Sequence, residues 1–169
     1  MGTLAARATR ENGAVKDRAN WLVALQFLSI GVLLIVPFTV PGAPLWSGQQ
    51  SAVLAVLLIM VGIVLAGAGV AALGRDLVPW VAPRPGARLR TTGVYRLTRN
   101  PIYVGLLVAA AGWVIWFARI DLIVAWVALV VVLAVKARIE QHRLVDAFGD
   151  EYVEYADRTP LMLWARGIR

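Results

Sequence analysis

Two short segments concentrate the side chains of this sequence that could bind a ligand or take part in chemistry. The first, TTGVYRLTRNPIYVG at residues 91–105, places arginines, tyrosines and an Asn-Pro step directly before an apolar stretch. Asn100-Pro101 predicts a helix start, because Asn is a good N-cap and Pro suits the first helical position. Free backbone amides there, together with the guanidinium groups of Arg96 and Arg99, would form a pocket suited to an anion.

A simpler interpretation of the same segment stays open. Arg96 and Arg99 could be positively charged anchors beside a membrane, and Tyr95 and Tyr103 could be interfacial aromatic residues. The density of hydrogen-bond donors at one helix start is the reason to consider a binding site as well.

The second segment, KARIEQHR at residues 136–143, carries Lys136 and Glu140 four positions apart on one helical face. Such a pair is often only a surface ion pair, worth about 0.2–0.5 kcal/mol. His142 is available as a base, although a single His on an exposed helix is more often a bystander. The sequence has no cysteine and one histidine, which excludes disulfides and a Cys nucleophile and argues against an all-protein zinc site.

The elements that must position these residues are strongly apolar. Of 169 residues, 60% are hydrophobic and only 16% are charged, whereas soluble domains carry about 25% charged residues. We therefore expect an all-α integral membrane protein with about four transmembrane helices. The expected organisation is a basic cytoplasmic tail at 1–20 and one membrane domain at 21–169, with spans at 21–40, 51–73, 101–117 and 122–138.

The connections indicate how the expected spans are arranged. The short ARID turn at residues 118–121 predicts that the third and fourth spans form an antiparallel helical hairpin. The fourth helix should leave the membrane as a cytoplasmic, C-terminal amphipathic helix that runs to about Phe148, with Gly149 as its stop. In the second span, a face with Gly62, Gly67 and Gly69 should allow another helix or a ligand to approach closely.

The distribution of positive charge predicts the topology. The loop at residues 74–100 contains six arginines and one aspartate, and both ends of the chain are basic. The positive-inside rule therefore places both termini and this loop in the cytoplasm. The net charge of +7 fits anionic membrane lipids, and no nucleic-acid-binding module is visible.

The two polar segments resemble the isoprenylcysteine carboxyl methyltransferase family and its bacterial relatives. LGRDLVPWVAPRPGARLRTTGVYRLTRNPIYVG and, further on, RIEQHRLVDAFGDEYVEY follow the family pattern L-V-T-T-G-x-Y-R-x-x-R-H-P-x-Y-x-G and then E-E-x-x-L-x-x-x-F-G-x-x-Y-x-x-Y. The resemblance covers residues 62 to about 160, and it extends more distantly to phospholipid N-methyltransferases.

The resemblance implies a bacterial inner-membrane enzyme that transfers a methyl group from S-adenosyl-L-methionine and releases S-adenosyl-L-homocysteine. Its acceptor would be a lipophilic or small carboxylate, thiol or amine that enters from the bilayer. Lys136 matches an acceptor-contacting basic residue, with Arg138 beside it, and no catalytic residue is assigned. The cofactor-binding candidates are Ala87, Arg88, Leu89, Arg90, Tyr95, Arg99, Asn100, Pro101, Ile102, Tyr103 and Glu140.

Three positions depart from the family pattern, and two other functions stay open. Asn100 replaces the usual His, Gln141 a frequent second Glu, and Lys136 an Arg. The alternatives are a phospholipid N-methyltransferase and a non-catalytic transporter or scaffold module.

Displacement of a methyl group from a sulfonium needs correct positioning and a dry site more than a strong acid or base. No Ser/His/Asp or metal constellation is therefore expected for the methyltransferase.

Overall fold

The computed structural model describes the backbone of residues 2–74, 89–163 and 167–168, with side chains from residue 21 onward. In this part of the chain every regular element is a helix, as predicted. The elements are α1 (Gly2–Thr39), α2 (Gln49–Leu73), a 3-10 turn (Gly93–Arg96), α3 (Pro101–Phe117), α4 (Ile120–Phe148) and α5 (Asp150–Arg158).

Three helical segments are long and apolar enough to cross a bilayer: Trp21–Thr39 within α1, the whole of α2, and α4. The helix α3 is apolar but has 17 residues. At 1.5 Å per residue it is about 25 Å long, less than the hydrocarbon core of about 30 Å. The chain is thus an integral membrane protein, and its described residues contain three helices of spanning length and a shorter apolar helix.

The helix boundaries follow local sequence signals with one difference. As predicted, α3 begins at Pro101, and α4 ends before Gly149, whose φ of 55° suits glycine. In contrast, α1 begins at Gly2, so the basic residues before the first span continue its helix. Those residues are rich in Ala and Arg, which are strong helix formers.

The helices α2 and α3 pack with their backbones in contact along a line of small residues. A Cβ atom on Gly105 would lie 2.5 Å from the Ala66 nitrogen and 2.6 Å from the Gly62 carbonyl oxygen. A Cβ atom on Gly112 would lie 2.6 Å from the Ala55 carbonyl oxygen. Small residues permit this close approach, which holds the start of α3 firmly against α2.

The glycines of α2 therefore have different roles. Gly62 lies within this helix contact, and Gly69 lies against the first turn of α3. A Cβ atom on Gly69 would be 2.8 Å from Ile102 Cγ1 and 3.1 Å from Pro101 Cγ. Gly67, by contrast, is exposed on another side of α2, and no described atom outside its own helix lies within 4 Å of the Cβ position.

The helices α3 and α4 are antiparallel neighbours joined by two residues. Ala118 takes the left-handed conformation, with φ 54° and ψ 40°, and the chain then re-enters a helix at Ile120. Across the pair, the Trp126 indole N–H donates to the Leu107 carbonyl over 3.0 Å. This arrangement returns the end of α4 to the same end of the bundle as the start of α3.

The far end of the bundle, which contains the α3–α4 turn, is closed by contacts within the protein. The buried Arg119 pairs with Asp121 and donates to the Val40 carbonyl over 2.6 Å. Nearby, the Trp46 indole N–H donates to the Ile115 carbonyl over 3.2 Å. The polar segments singled out in the sequence lie at the opposite end.

Candidate functional site

The two polar segments of the sequence are joined by hydrogen bonds, and the shorter of these is between Tyr103 and Glu140. The Tyr103 hydroxyl, in the first turn of α3, donates to Glu140 Oε1, near the end of α4, over 2.6 Å. The residues are 37 positions apart, and both are half-buried. A carboxylate held at this edge of the apolar core can accept hydrogen bonds from an ammonium group or from hydroxyl groups.

Lys136 lies one helical turn before Glu140 and is only 5% exposed. Its Nζ lies 5.1 Å from the centroid of the Tyr103 ring and donates to Gln26 Oε1 over 3.0 Å. No carboxylate of the described residues lies within ion-pair distance of this ammonium. The site therefore contains a buried cation that is stabilised by an amide and an aromatic ring.

Tyr95 forms the other aromatic side of the site. It is buried, its hydroxyl lies 3.5 Å from the Gly69 carbonyl oxygen, and its own carbonyl accepts a 2.6 Å hydrogen bond from the Tyr155 hydroxyl. Burial, and secondly the negative charge of Glu140, raises the pKa of Tyr95 to about 12. Tyr95 is therefore a neutral phenol at physiological pH.

Arg99 points into the protein. Its guanidinium donates to the Gln141 side-chain oxygen over 3.1 Å, to the Tyr152 hydroxyl over 3.5 Å and to the Gly167 carbonyl over 3.0 Å. Only 6% of the residue is exposed. Arg99, predicted from its charge to contact the cofactor, thus connects the start of α3 to α4, to α5 and to the segment after α5.

Asn100 occupies the predicted N-cap position, but its side chain makes no cap hydrogen bond. Instead, its Nδ2 donates to the Leu161 carbonyl over 2.8 Å, and the Thr98 hydroxyl lies 3.3 Å from the same oxygen. The Arg99 backbone N–H donates to the Pro160 carbonyl over 2.9 Å. The residues before α3 are therefore held by the segment that follows α5.

The other predicted residues lie around this centre at different depths. Leu89 packs against the tyrosines of α5, whereas Arg90 and Arg138 are exposed at the surface. Pro101 and Ile102 are packing residues against α2, as described above. Ala87 and Arg88 lie outside the described residues.

Sequence reasoning missed three residues that contact the predicted ones. Tyr152 and Tyr155 are three positions apart in α5, a spacing that places them on one helical face. Gln26 is a polar side chain within an apolar span, and such a residue usually has a partner. The spacing of the two tyrosines and the polar residue in an apolar span are both visible in the sequence. Neither feature shows which residues these side chains contact.

His142 does not join this group of contacts. It is exposed, and its Nδ1 lies 2.7 Å from the Arg138 carbonyl oxygen within its own helix. This placement agrees with a bystander more than with a base.

A family model described as phospholipid methyltransferase matches residues 50–151. This range contains all of α2 but its first residue, the whole of α3 and α4, and both polar segments. The chain belongs to the phospholipid methyltransferase family. The matched range omits α1, and with it Gln26, as well as most of α5 and the segment after it.

The names of two curated relatives specify different methyl acceptors. Methanethiol S-methyltransferase 1 of Bradyrhizobium diazoefficiens is 33% identical over 86 residues, which are 48% of this chain and 28% of that protein. Protein-S-isoprenylcysteine O-methyltransferase B of Arabidopsis thaliana is 35% identical over 74 residues, 43% of this chain and 38% of that protein. The family resemblance inferred from the two polar segments is confirmed, although the matches span well under half the length of either relative.

Proposed function

We propose that this protein is a membrane-embedded methyltransferase that uses S-adenosyl-L-methionine and acts on a lipophilic or small carboxylate, thiol or amine acceptor. The observation that carries the proposal is the hydrogen bond between Tyr103 and Glu140, which joins the two polar segments beside an apolar core. We further propose that four helices span a bacterial inner membrane with both termini in the cytoplasm. The end of the bundle that contains Tyr103 and Glu140 would then face the cytoplasm, where the water-soluble cofactor is found.

The side chains around Glu140 are suited to S-adenosyl-L-methionine, which carries an ammonium group, a carboxylate, ribose hydroxyls and a sulfonium. The Glu140 carboxylate would accept hydrogen bonds from the ammonium group or the hydroxyls. Tyr95 and Tyr103 would place aromatic rings near a positive charge. On α2, the Gly69 carbonyl oxygen lies 3.5 Å from the Tyr95 hydroxyl and would border the cofactor beside that ring.

The other residues that are proposed to bind the cofactor lie around Glu140 and the two tyrosines. Leu89 and Arg90, with Ala87 and Arg88 before them, would contact the cofactor from the loop side. Arg99, Asn100, Pro101 and Ile102 would shape the pocket through the start of α3, since their described contacts are with α2, α4 and the C-terminal segment. Arg99 is thus proposed to support the pocket.

When bound, the cofactor supplies a methyl group on a sulfonium sulfur, and transfer removes the positive charge from that sulfur. The residues of this chain would orient the donor and keep water away. Val104 and Leu107 of α3 and Leu133 of α4 are buried in the core beside the site, and they would exclude water from the reacting atoms. Orientation and exclusion of water account for a large part of the rate in such displacements.

The acceptor is proposed to bind at Lys136, with Arg138 at the surface nearby. Lys136 is a buried cation next to apolar side chains, an environment suited to a molecule with one polar and one lipid-soluble part. Such an acceptor would reach the site from the bilayer.

The family match favours one second candidate, methylation of the amine of an ethanolamine phospholipid. A panel of three acceptors separates the candidates: an ethanolamine lipid, an alkanethiol and a lipophilic carboxylate, each offered with methyl-labelled donor. Label transfer to the ethanolamine lipid alone would establish the second candidate.

The experiment that tests the proposal is calorimetric titration of the detergent-purified chain with S-adenosyl-L-homocysteine. We expect saturable binding that Glu140→Gln weakens and that Glu154→Gln, an exposed carboxylate on α5, leaves unchanged. Absence of binding at millimolar ligand would overturn the proposal and favour a non-catalytic membrane module.

A further inference from the structure

Gln26 of α1 contacts the site from outside the family-matched range. Its side-chain oxygen accepts the 3.0 Å hydrogen bond from Lys136, which is 110 positions away in the sequence. The apolar stretch that contains Gln26 has two other polar side chains, Ser29 and Thr39. These bond to carbonyl oxygens of their own helix, at 2.9 and 3.0 Å. In this stretch, Gln26 is thus the polar side chain that reaches another helix.

The hydrogen bond leaves the Lys136 ammonium incompletely satisfied. An ammonium group has three N–H donors, and Gln26 accepts one of them. The Tyr103 ring lies beside the charge but accepts no conventional hydrogen bond. Because the residue is 5% exposed, water has little access to the remaining donors. A buried cation in this state favours an oxygen ligand, and most of all an anionic one.

The neutral amide of Gln26 is important in this arrangement. An amide oxygen fixes the position of the ammonium but does not neutralise its charge. The Glu140 carboxylate is engaged by the Tyr103 hydroxyl and lies beyond ion-pair distance of Lys136, although its charge still attracts the ammonium. A ligand that arrives between the helices can therefore contact the Lys136 ammonium directly.

We propose that Gln26 is a positioning residue for the Lys136 ammonium, and that α1 thereby completes a site selective for acceptors with an anionic oxygen. The inference rests on the proposed function in that the ligand is taken to be the methyl acceptor. A carboxylate and a phosphate share the required chemistry. Gln26 sets the preference for either of them over a neutral polar group.

The test measures equilibrium binding of labelled oleate, oleyl phosphate and oleyl alcohol to the full chain in nanodiscs of zwitterionic lipid. For the wild type we expect at least one anionic probe to bind about tenfold or more tightly than the alcohol, equivalent to a difference of about 1.4 kcal/mol. The stronger of the two anionic probes distinguishes a carboxylate site from a phosphate site. Equal binding of all three probes would overturn the inference.

Two variants of Gln26 separate positioning from a structural role. Gln26→Met keeps the length of the side chain without the oxygen, and Gln26→Glu keeps the oxygen but neutralises the ammonium. We expect both to lose most of the anion preference while binding of the alcohol changes less than about twofold. Ser29→Ala on the same helix should behave like the wild type. If Gln26→Glu retained the wild-type preference, or if Gln26→Met weakened all probes equally, the residue would be structural and the inference wrong.

Titration of the same preparations with S-adenosyl-L-homocysteine distinguishes the two proposals. Cofactor binding without any anion preference overturns the present inference and leaves the proposed function standing. An anion preference that Gln26→Met removes, in a protein that binds no cofactor, supports the Gln26–Lys136 site and overturns the proposed function.

Discussion

The Tyr103 hydroxyl lies 2.6 Å from Glu140 Oε1, and this contact brings the start of α3 and the end of α4 together. The α3–α4 turn makes the contact possible, because it returns α4 antiparallel to α3. A hydrogen bond to an ionised carboxylate is stronger than one between neutral groups. The pair thus fixes the carboxylate at the edge of the core, where the proposed cofactor would meet it.

Glu140→Gln should weaken binding of S-adenosyl-L-homocysteine by about tenfold or more, because hydrogen bonds to charged groups contribute about 1.5–3 kcal/mol. Tyr103→Phe should have a smaller effect, since the carboxylate keeps its charge but loses its orienting partner. Tyr95→Ala should also weaken binding, through loss of the aromatic wall. Calorimetric titration measures all three, with Glu154→Gln as the control. Wild-type affinity in Glu140→Gln and in Tyr95→Ala would show that the pocket lies elsewhere.

Local signals in the sequence were sufficient for much of this architecture. The Asn-Pro step marked the first residue of α3, and Gly149 marked the end of α4, because both depend on backbone preferences of a few residues. The contact between Tyr103 and Glu140 followed from two segments on either side of a short turn. Their family resemblance is what predicts that they are two halves of one site.

Other contacts depend on tertiary packing and have no local signature. Gln26 and Lys136 are 110 positions apart, and hydrophobic periodicity in either helix does not reveal that they meet. The same holds for the Leu161 carbonyl, which accepts from Asn100, a residue predicted to cap its own helix. The Asn100 side chain contacts the C-terminal segment because that segment supplies a carbonyl at hydrogen-bonding distance.

Arg99→Met should lower the free energy of unfolding by about 2–4 kcal/mol, because it leaves the buried Gln141 side chain and the half-buried Gly167 carbonyl without this donor. Arg99→Lys should recover little of this loss, since an ammonium cannot reproduce the forked geometry of the guanidinium. Thermal unfolding in detergent measures both variants.

The control for Arg99 is Arg158→Met. Arg158 pairs with Glu154 on the surface of α5, and both side chains are about three-quarters exposed, at 75% and 74%. Surface pairs of this type contribute little, so no measurable change is expected. If Arg99→Met unfolded at the wild-type temperature, the connection through Arg99 would not stabilise the bundle.

Gly105→Ala should destabilise the α2–α3 pair. The new methyl group would meet the Ala66 nitrogen at 2.5 Å and the Gly62 carbonyl oxygen at 2.6 Å, and both are backbone atoms that cannot move aside. Overpacking of this type costs about 1–3 kcal/mol, partly offset by the better helix propensity of Ala. The matched control is Gly31→Ala in α1, where no atom lies within 4 Å and a neutral or small stabilising effect is expected. Equal melting temperatures for the two variants would contradict the close packing.

The tyrosines outside the spans should resist ionisation. Burial raises the pKa of Tyr95 from its ordinary 10.0 to about 12, and burial also raises the pKa of Tyr152 and of Tyr155. Because the folded-state pKa of Tyr95 exceeds its unfolded value, the contribution of this residue to stability is complete below about pH 10 and is lost as the pH rises toward 12.

Spectrophotometric titration of Tyr103→Phe isolates these three tyrosines, because the sequence has four. At about pH 11 the folded variant should show less phenolate absorbance than the denatured chain, in which ionisation should be nearly complete. Phenolate formation near pH 10 in the folded variant would mean that these side chains are open to water.

Asn100→His tests the consequence of having Asn at a position where the family pattern has His. The Asn100 side chain donates to the Leu161 carbonyl over 2.8 Å, and a His ring also carries an N–H donor. If the role of the residue is to hold the C-terminal segment against α3, Asn100→His should retain both the melting temperature and the affinity for S-adenosyl-L-homocysteine. Asn100→Ala, which has no donor, should lose about 1 kcal/mol of stability or somewhat more, because it leaves a buried carbonyl with one partner fewer. Equal loss in the two variants would show that the amide itself, rather than a donor at this position, is required.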